Sequence, residues 1–284
     1  MSEHRLRVLK GHGTENDFVV LPDLDAVVSL SPSLVRALCD RRAGIGADGV
    51  LRVLRTKLAT EPDVRAQADE AEFFMDYHNA DGSISEMCGN GVRVFARYLL
   101  DAGLIAGDTA VATRGGVKQV SFDGELVSVD MGAPHARSER PVVSVAGLQG
   151  EYPGTAIDMP NPHVVVQLTA EDELAALDLS AAPVVIPALP DGQNVEFVVR
   201  TGSDRLTMRV HERGVGETRS CGTGICAAVV AVAGDRVAEG SWLVDLPGGQ
   251  CEVSWTDTGS VVLTGPAVLL AEVTLSEGWV ASHR

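Results

Sequence analysis

Basic residues are scarce in this chain: 23 Lys and Arg stand against 39 Asp and Glu, a formal net charge of -16 over 284 residues. A surface of that sign repels a phosphate backbone, which argues against a nucleic-acid partner. Long hydrophobic runs are missing too. No apolar stretch approaches the roughly 20 residues of a membrane span, and the start, Met1-Ser2-Glu3-His4-Arg5-Leu6-Arg7, lacks the apolar run of a signal peptide. The expectation is a soluble, cytoplasmic protein with no membrane partner. The five cysteines are an odd number at irregular spacings, unlike a secreted disulfide framework or a paired zinc ribbon. Cys221 and Cys226 have a zinc-knuckle gap, but five positions along a helix separate their directions by roughly 140°, so no metal site is expected. Arg114-Gly115-Gly116 and Gly214-Val215-Gly216 lack the Lys-Ser/Thr of a P-loop, which weakens any nucleotide reading.

What the chain does hold is a repeated device. Met87-Cys88-Gly89-Asn90-Gly91 runs into Val92-Arg93-Val94-Phe95, and Ser220-Cys221-Gly222-Thr223-Gly224 runs into Ile225-Cys226-Ala227-Ala228. The offset that carries Cys88 onto Cys221 also carries Met75 onto Met208, His78 onto His211 and Asn79 onto Glu212. A looser match sets Asn161-Pro162-His163-Val164-Val165 on Asn16-Asp17-Phe18-Val19-Val20. The pattern is an internal duplication, and the hydrophobic content of 45% supports a full core. The expected division is residues 1–133 with Cys88, completed by 271–284, and residues 134–270 with Cys221.

Residues 6–9, 18–21, 50–54 and 72–77 read as strands, and Ser31-Pro32 opens a helix through Leu38. Val92, Phe95, Tyr98 and Leu99 give the helix after Cys88 an apolar face, with Arg93, Arg97 and Asp101 as its wet stripe and Gly103 as its stop. Residues 225–233 are apolar all round, so the second helix is expected to be a buried axis. Asp123-Gly124 and Gly202-Ser203-Asp204 mark hairpins, and 271–280 reads as a last strand. The fold class is α+β: two strand-rich halves, each wrapped about a central helix.

A thiol at a helix start meets unpaired N–H groups and the positive end of the macrodipole, which lower its pKa from about 8.5. The neighbouring glycines let the main chain close on an anion such as a carboxylate. If the halves face one cleft, two thiols suit removal of a proton from one face of a carbon and delivery to the other. Cys39, Cys226 and Cys251 have apolar neighbours and read as packing residues. Asn16, Asn79, Asn161, Asn194, Glu212 and Arg213 offer amide donors, an Arg fork and a carboxylate, although each alone reads as a turn former or solvated group. His163 either holds a cysteine as thiolate or is an ordinary surface or capping histidine. No lysine lies in these motifs to form a Schiff base with pyridoxal phosphate, so anion stabilisation falls to the helix ends.

The strings Gly13-Thr14-Glu15-Asn16-Asp17-Phe18, Asn79 with Asp81-Gly82-Ser83, Glu86 to Gly91, Asn161-Pro162-His163, Asn194-Val195-Glu196-Phe197, and Glu212-Arg213-Gly214 through Glu217 to Gly224 resemble the diaminopimelate epimerases, over essentially the whole chain. The resemblance implies a cofactor-independent isomerase of lysine and peptidoglycan-precursor biosynthesis, interconverting LL- and meso-diaminopimelate, with two pseudo-symmetric domains and a homodimer. It implies Cys88 and Cys221 as catalytic thiols, with His163 and Glu212 as their supports. It also implies Gly89, Asn90, Gly222 and Thr223 as a carboxylate cradle, and Asn16, Asn79, Asn161, Asn194, Glu212 and Arg213 as further substrate contacts. Gly49 departs from relatives that carry glutamine there. The alternatives are a proline or hydroxyproline racemase, which also pairs thiols at Cys-Gly-x-Gly turns, and a non-catalytic amino-acid-binding protein.

Overall fold

Residues 6–234 and 240–283 are described in a computed structural model. Met1, Ser2, Glu3, His4 and Arg5, on which the signal-peptide expectation leans, lie outside the described residues. The chain forms two compact units, Met1–Val129 with Pro266–Arg284, and Asp130–Gly265. Among the described residues no helix is long and apolar enough to cross a membrane.

In the first unit Arg7–Gly13 (β1) and Asn16–Pro22 (β2) form an antiparallel hairpin. Its turn puts Thr14 and Glu15 at φ of 49° and 61°, a left-handed conformation that side-chain-bearing residues seldom adopt. Helix Pro32–Cys39 (α1) starts at Ser31, whose hydroxyl accepts the Leu34 N–H at 3.1 Å, with proline in the first turn. Gly49–Arg55 (β3) runs parallel to β2. Short helix Pro62–Arg65 (α2) leads to Phe73–Asn79 (β4), antiparallel to β3. Cys88 then caps helix Gly89–Asp101 (α3), and Gly103, at φ 67°, lies just beyond its end. Thr109–Ala112 (β5) pairs parallel to β4, and Lys118–Asp123 (β6) and Leu126–Gly132 (β7) complete a meander turned at Gly124.

The second unit begins with His135–Ala136 (β8) and Val142–Ser144 (β9), then repeats the plan. Tyr152–Asp158 (β10) and Pro162–Leu168 (β11) are antiparallel, and helix Glu171–Ala176 (α4) stands where α1 stood. Val184–Ile186 (β12) pairs with β9. Asn194–Gly202 (β13) is parallel to β11, and Arg205–Glu212 (β14) antiparallel to β13. Gly216–Thr218 (β15) folds onto β14, and Cys221 caps helix Gly222–Ala233 (α5). Trp242–Leu246 (β16) is parallel to β14, and Gly249–Trp255 (β17) and Val261–Pro266 (β18) extend it as a meander. The registers repeat as well: Val50 faces His78 as Val195 faces His211, and Phe18 faces Gly49 as His163 faces Asn194.

The final segment differs from the expected strand over 271–280. Val268–Thr274 (β19) pairs antiparallel with β1, but Glu277–Ala281 (α6) is helical, and the Ser276 carbonyl accepts the Val280 N–H at 3.1 Å at its start.

Each central helix packs against strands of its own unit, α3 on β1 to β6 and β19, α5 on β10, β11, β13, β14, β16 and β17. That enclosure corrects the expected wet stripe of α3. Arg93 is fully buried and Arg97 nearly so, while only Asp101 is exposed. The Arg93 guanidinium donates to the Pro266 carbonyl at 2.9 Å, to the Thr14 hydroxyl at 3.2 Å and to Asn90 Oδ1. Arg97 donates to the Gly124 carbonyl at 2.8 Å and lies over the Phe122 ring. Periodicity detects one apolar face; it does not reveal that strands cover the other. In α5 the apolar circumference is buried from Gly222 to Val229, as its sequence anticipates.

Candidate active site

In the first unit β2 delivers Asn16 and the loop after β4 delivers Cys88. Cys88 is half-buried; its sulfur accepts the Gly91 N–H at 3.4 Å, and its thiol lies 3.6 Å from Asn16 Oδ1. Asn90 Nδ2 donates to the same Asn16 oxygen at 3.3 Å. The amide of Asn16 is fixed from behind, where Nδ2 donates to Asp48 Oδ2 at 2.7 Å. Asp48 belongs to a charged cluster with Asp17, Arg41 and Lys10. Burial alone would raise Asp17, but hydrogen bonds from Arg41 and Lys10 outweigh it and hold the carboxyl at about 2; burial raises Asp48. Asn79 is turned into its own loop, with Nδ2 donating to Ser83 Oγ at 3.0 Å. Gly49 faces Asn79 in the ladder and can take no side chain without movement: a Cβ there would lie 2.6 Å from the His78 carbonyl and the Tyr77 ring. The glutamine of some relatives therefore has no counterpart contact here.

In the second unit Cys221 is buried. Asn194 Nδ2 donates toward its sulfur at 3.8 Å, and Thr223 Oγ1 lies 3.6 Å away. Glu212, at the end of β14, accepts from Thr218 Oγ1 and from the Cys221 thiol. Asn194 Oδ1 accepts the Arg213 backbone N–H at 2.9 Å, which ties the β13 start to the end of β14. The Arg213 side chain is exposed and its guanidinium donates to the Asp191 carbonyl. His163 is fully buried, which removes the surface reading. Its Nδ1 lies 2.6 Å from Glu196 Oε1 and its Nε2 3.1 Å from Asn161 Oδ1. Gly222 forms the first turn of α5 beside Thr223, as Gly89 forms that of α3 beside Asn90.

One electrostatic expectation is overturned. The helix start was expected to lower both thiol pKa values, yet Cys221 is raised well above the ordinary thiol value. Burial is the largest cause, followed by the carboxylates of Glu212 and Glu196; the Thr223 hydroxyl and Gly224 N–H oppose them and lose. Burial likewise raises Glu212. Cys221 therefore stays protonated near neutral pH, its thiol hydrogen-bonded to Glu212. Because alkylation needs an accessible thiolate, iodoacetamide near neutral pH is expected to label Cys88 at least about tenfold faster than Cys221, counted by peptide mass spectrometry. Equal rates would contradict the protonated, buried state of Cys221.

Two residues escaped the sequence reading as site components. Glu196 stands in the apolar run Val195-Glu196-Phe197-Val198-Val199, and a single carboxylate in a strand buried on both faces was the available signal. Asp48, in Gly46-Ala47-Asp48-Gly49, carried no such signal. The other cysteines, Cys39, Cys226 and Cys251, are all buried, as their neighbours implied.

The diaminopimelate epimerase family model matches residues 8–136 and 155–270. The diaminopimelate epimerase of Streptomyces coelicolor is 50% identical over 288 residues, covering 97% of this chain and 97% of that protein. That of Thermobifida fusca is 49% identical over 272 residues, covering 94% and 97%. Among solved structures, a Bacillus anthracis protein of the PhzF phenazine-biosynthesis family superposes at TM-score 0.67 with 13% identity over 95% of this chain and 99% of that one. A hydroxyproline epimerase from Agrobacterium vitis superposes at TM-score 0.66 with 15% identity, over 98% and 95%. The two superpositions speak to fold alone. By sequence, over nearly its full length, the chain belongs to the diaminopimelate epimerase family.

Proposed function

We propose that this protein converts LL-diaminopimelate to meso-diaminopimelate without a cofactor, in the supply of lysine and peptidoglycan precursors. The observation that carries the proposal is the repeated cap: in each unit a cysteine begins the central helix, with a glycine-containing first turn and amide groups within reach of its sulfur. Cys88 and Cys221 act as the two proton carriers, one for each face of the α-carbon. A thiolate takes the α-proton, the other thiol returns a proton to the opposite face, and the enzyme finishes with the protonation of the pair reversed. The carbanion's charge spreads into the substrate carboxylate, which Gly89, Asn90, Gly222 and Thr223 receive on main-chain N–H groups and polar side chains at the helix starts. Asn16, Asn79, Asn161, Asn194, Glu212 and Arg213 bind the rest of the substrate. His163 and Glu212 support the thiol pair.

Burial raises both Glu212 and Cys221, which disfavours two negative charges side by side and keeps Cys221 able to donate. The homodimer and cytoplasmic location implied by the resemblance belong to the same proposal.

Purified protein without added cofactor is expected to interconvert LL- and meso-diaminopimelate, followed by chiral chromatography, and to leave proline and hydroxyproline unchanged. Faster turnover of proline than of diaminopimelate would overturn the substrate assignment.

A further inference from the structure

The two copies differ at one buried place. The ladder registers equate Phe18 with His163 and Leu51 with Glu196, since Phe18 and His163 face Gly49 and Asn194, and Val50 and Val195 face His78 and His211. The helices give the same equation independently. A Cβ at Gly91 of α3 would meet Leu51 Cδ2 at 3.2 Å, and one at Gly224 of α5 would meet Glu196 Oε1 at 2.6 Å. Under the first turn of α3 the pair is Phe18 and Leu51; under that of α5 it is His163 and Glu196. All four side chains are fully buried.

An apolar pair in the first copy shows that the fold can be built there without charge. Burying an ion pair costs desolvation that mutual attraction barely offsets, so stability gives no reason for the exchange. Geometry gives another. Both nitrogens of His163 face oxygens, Glu196 Oε1 at 2.6 Å and Asn161 Oδ1 at 3.1 Å, an arrangement satisfied by a ring with a proton on each nitrogen. The second carboxylate oxygen of Glu196 is buried and has no hydrogen-bond partner among the described residues, so the hydrogen bond of this carboxylate goes to His163.

Resting on the function proposed above, we infer that Glu196 is a positioning residue of the second unit: it holds His163 with both ring nitrogens as donors, so that Nε2–H fixes the amide of Asn161 with its NH2 turned away from the ring. His163 also stands among the groups that lower Glu212 against its burial. The first unit has no equivalent and fixes Asn16 through Asp48 instead.

The test is Glu196→Gln, which keeps shape and removes charge, with two readouts in the whole protein. Ring 15N shifts of His163 are expected to change from two N–H nitrogens to one. The kcat for diaminopimelate is expected to fall by about 10- to 100-fold, the usual effect of losing a partner that orients a functional histidine, with KM within about threefold. An unchanged ring spectrum, or kcat within about twofold of the parent, would overturn the inference. If Glu196→Gln does not fold, Glu196→Leu carries the residue the first copy tolerates and is read in the same way. A parent protein that turns over no diaminopimelate would sink the proposed function, while the ring spectra would still decide whether Glu196 sets the state of His163.

Discussion

Replacing either Cys88 or Cys221 by alanine is expected to lower kcat for stereoinversion by about 10³-fold, in the range that a positioned acid or base contributes. The reason is the division of labour between faces. Inversion needs a proton removed on one side and supplied on the other, so neither thiol can stand in for its partner. Each variant retains one proton carrier at an intact helix start, and each is therefore expected to keep hydrogen exchange at the α-carbon of one epimer while losing inversion. Parallel assays of exchange and inversion on both epimers check this. A single variant that inverts within about tenfold of the parent would reject the paired assignment. Neither substitution disturbs the fold greatly, because Cys88 is half-buried, with its sulfur 3.4 Å from the Gly91 nitrogen, and Cys221→Ala removes one buried atom.

The second large effect is expected at Gly224. On helix propensity alone alanine is preferred to glycine by about 1 kcal/mol, so an inert position would gain stability. Here the added Cβ would lie 2.6 Å from Glu196 Oε1, the oxygen bonded to His163 Nδ1, and 3.3 Å from Cys221 Cβ. Glu196 is fully buried and cannot swing into solvent. The methyl group must displace the carboxylate, the imidazole behind it or the helix start that carries Cys221, and a misplacement of that size costs about 10²-fold in kcat/KM. Gly91 occupies the matching place in the first unit, where the nearest neighbour is Leu51 Cδ2 at 3.2 Å, a methyl able to give way. Gly91→Ala is thus expected to lose less than about tenfold. Measuring kcat/KM for both variants side by side checks the contrast, and equal losses would contradict it.

Much of this was legible in the chain because duplication doubles every signal. The two Cys-Gly-x-Gly turns name both helix starts, the turns at Asp123-Gly124 and Gly202-Ser203-Asp204 are where expected, and Ser31-Pro32 opens α1. What escaped depended on contacts distant in sequence. Arg93 looked solvated because helical period places it opposite Val92 and Phe95, yet strands enclose α3 on that side too and Pro266, far along the chain, supplies its carbonyl partner. Cys221 looked acidic because the helix-end effect is local and readable, whereas its burial and the carboxylates of Glu212 and Glu196 come from β13 and β14. Glu196 hid inside an apolar run, and only its pairing with His163 on the neighbouring strand exposes it. The helical end at Glu277–Ala281 was misread because Val273, Leu275, Trp279 and Val280 continue an apolar pattern across Ser276.

Epimerisation followed at initial rate in D2O tests the two-thiol chemistry most directly. With protio LL-diaminopimelate as substrate, the meso product formed first is expected to carry deuterium at the inverted carbon in every molecule, while the unreacted LL pool stays protio, because the proton delivered never came from the substrate. Meso product that keeps the substrate's own hydrogen would mean that a single group carries it across, and would contradict the paired action of Cys88 and Cys221.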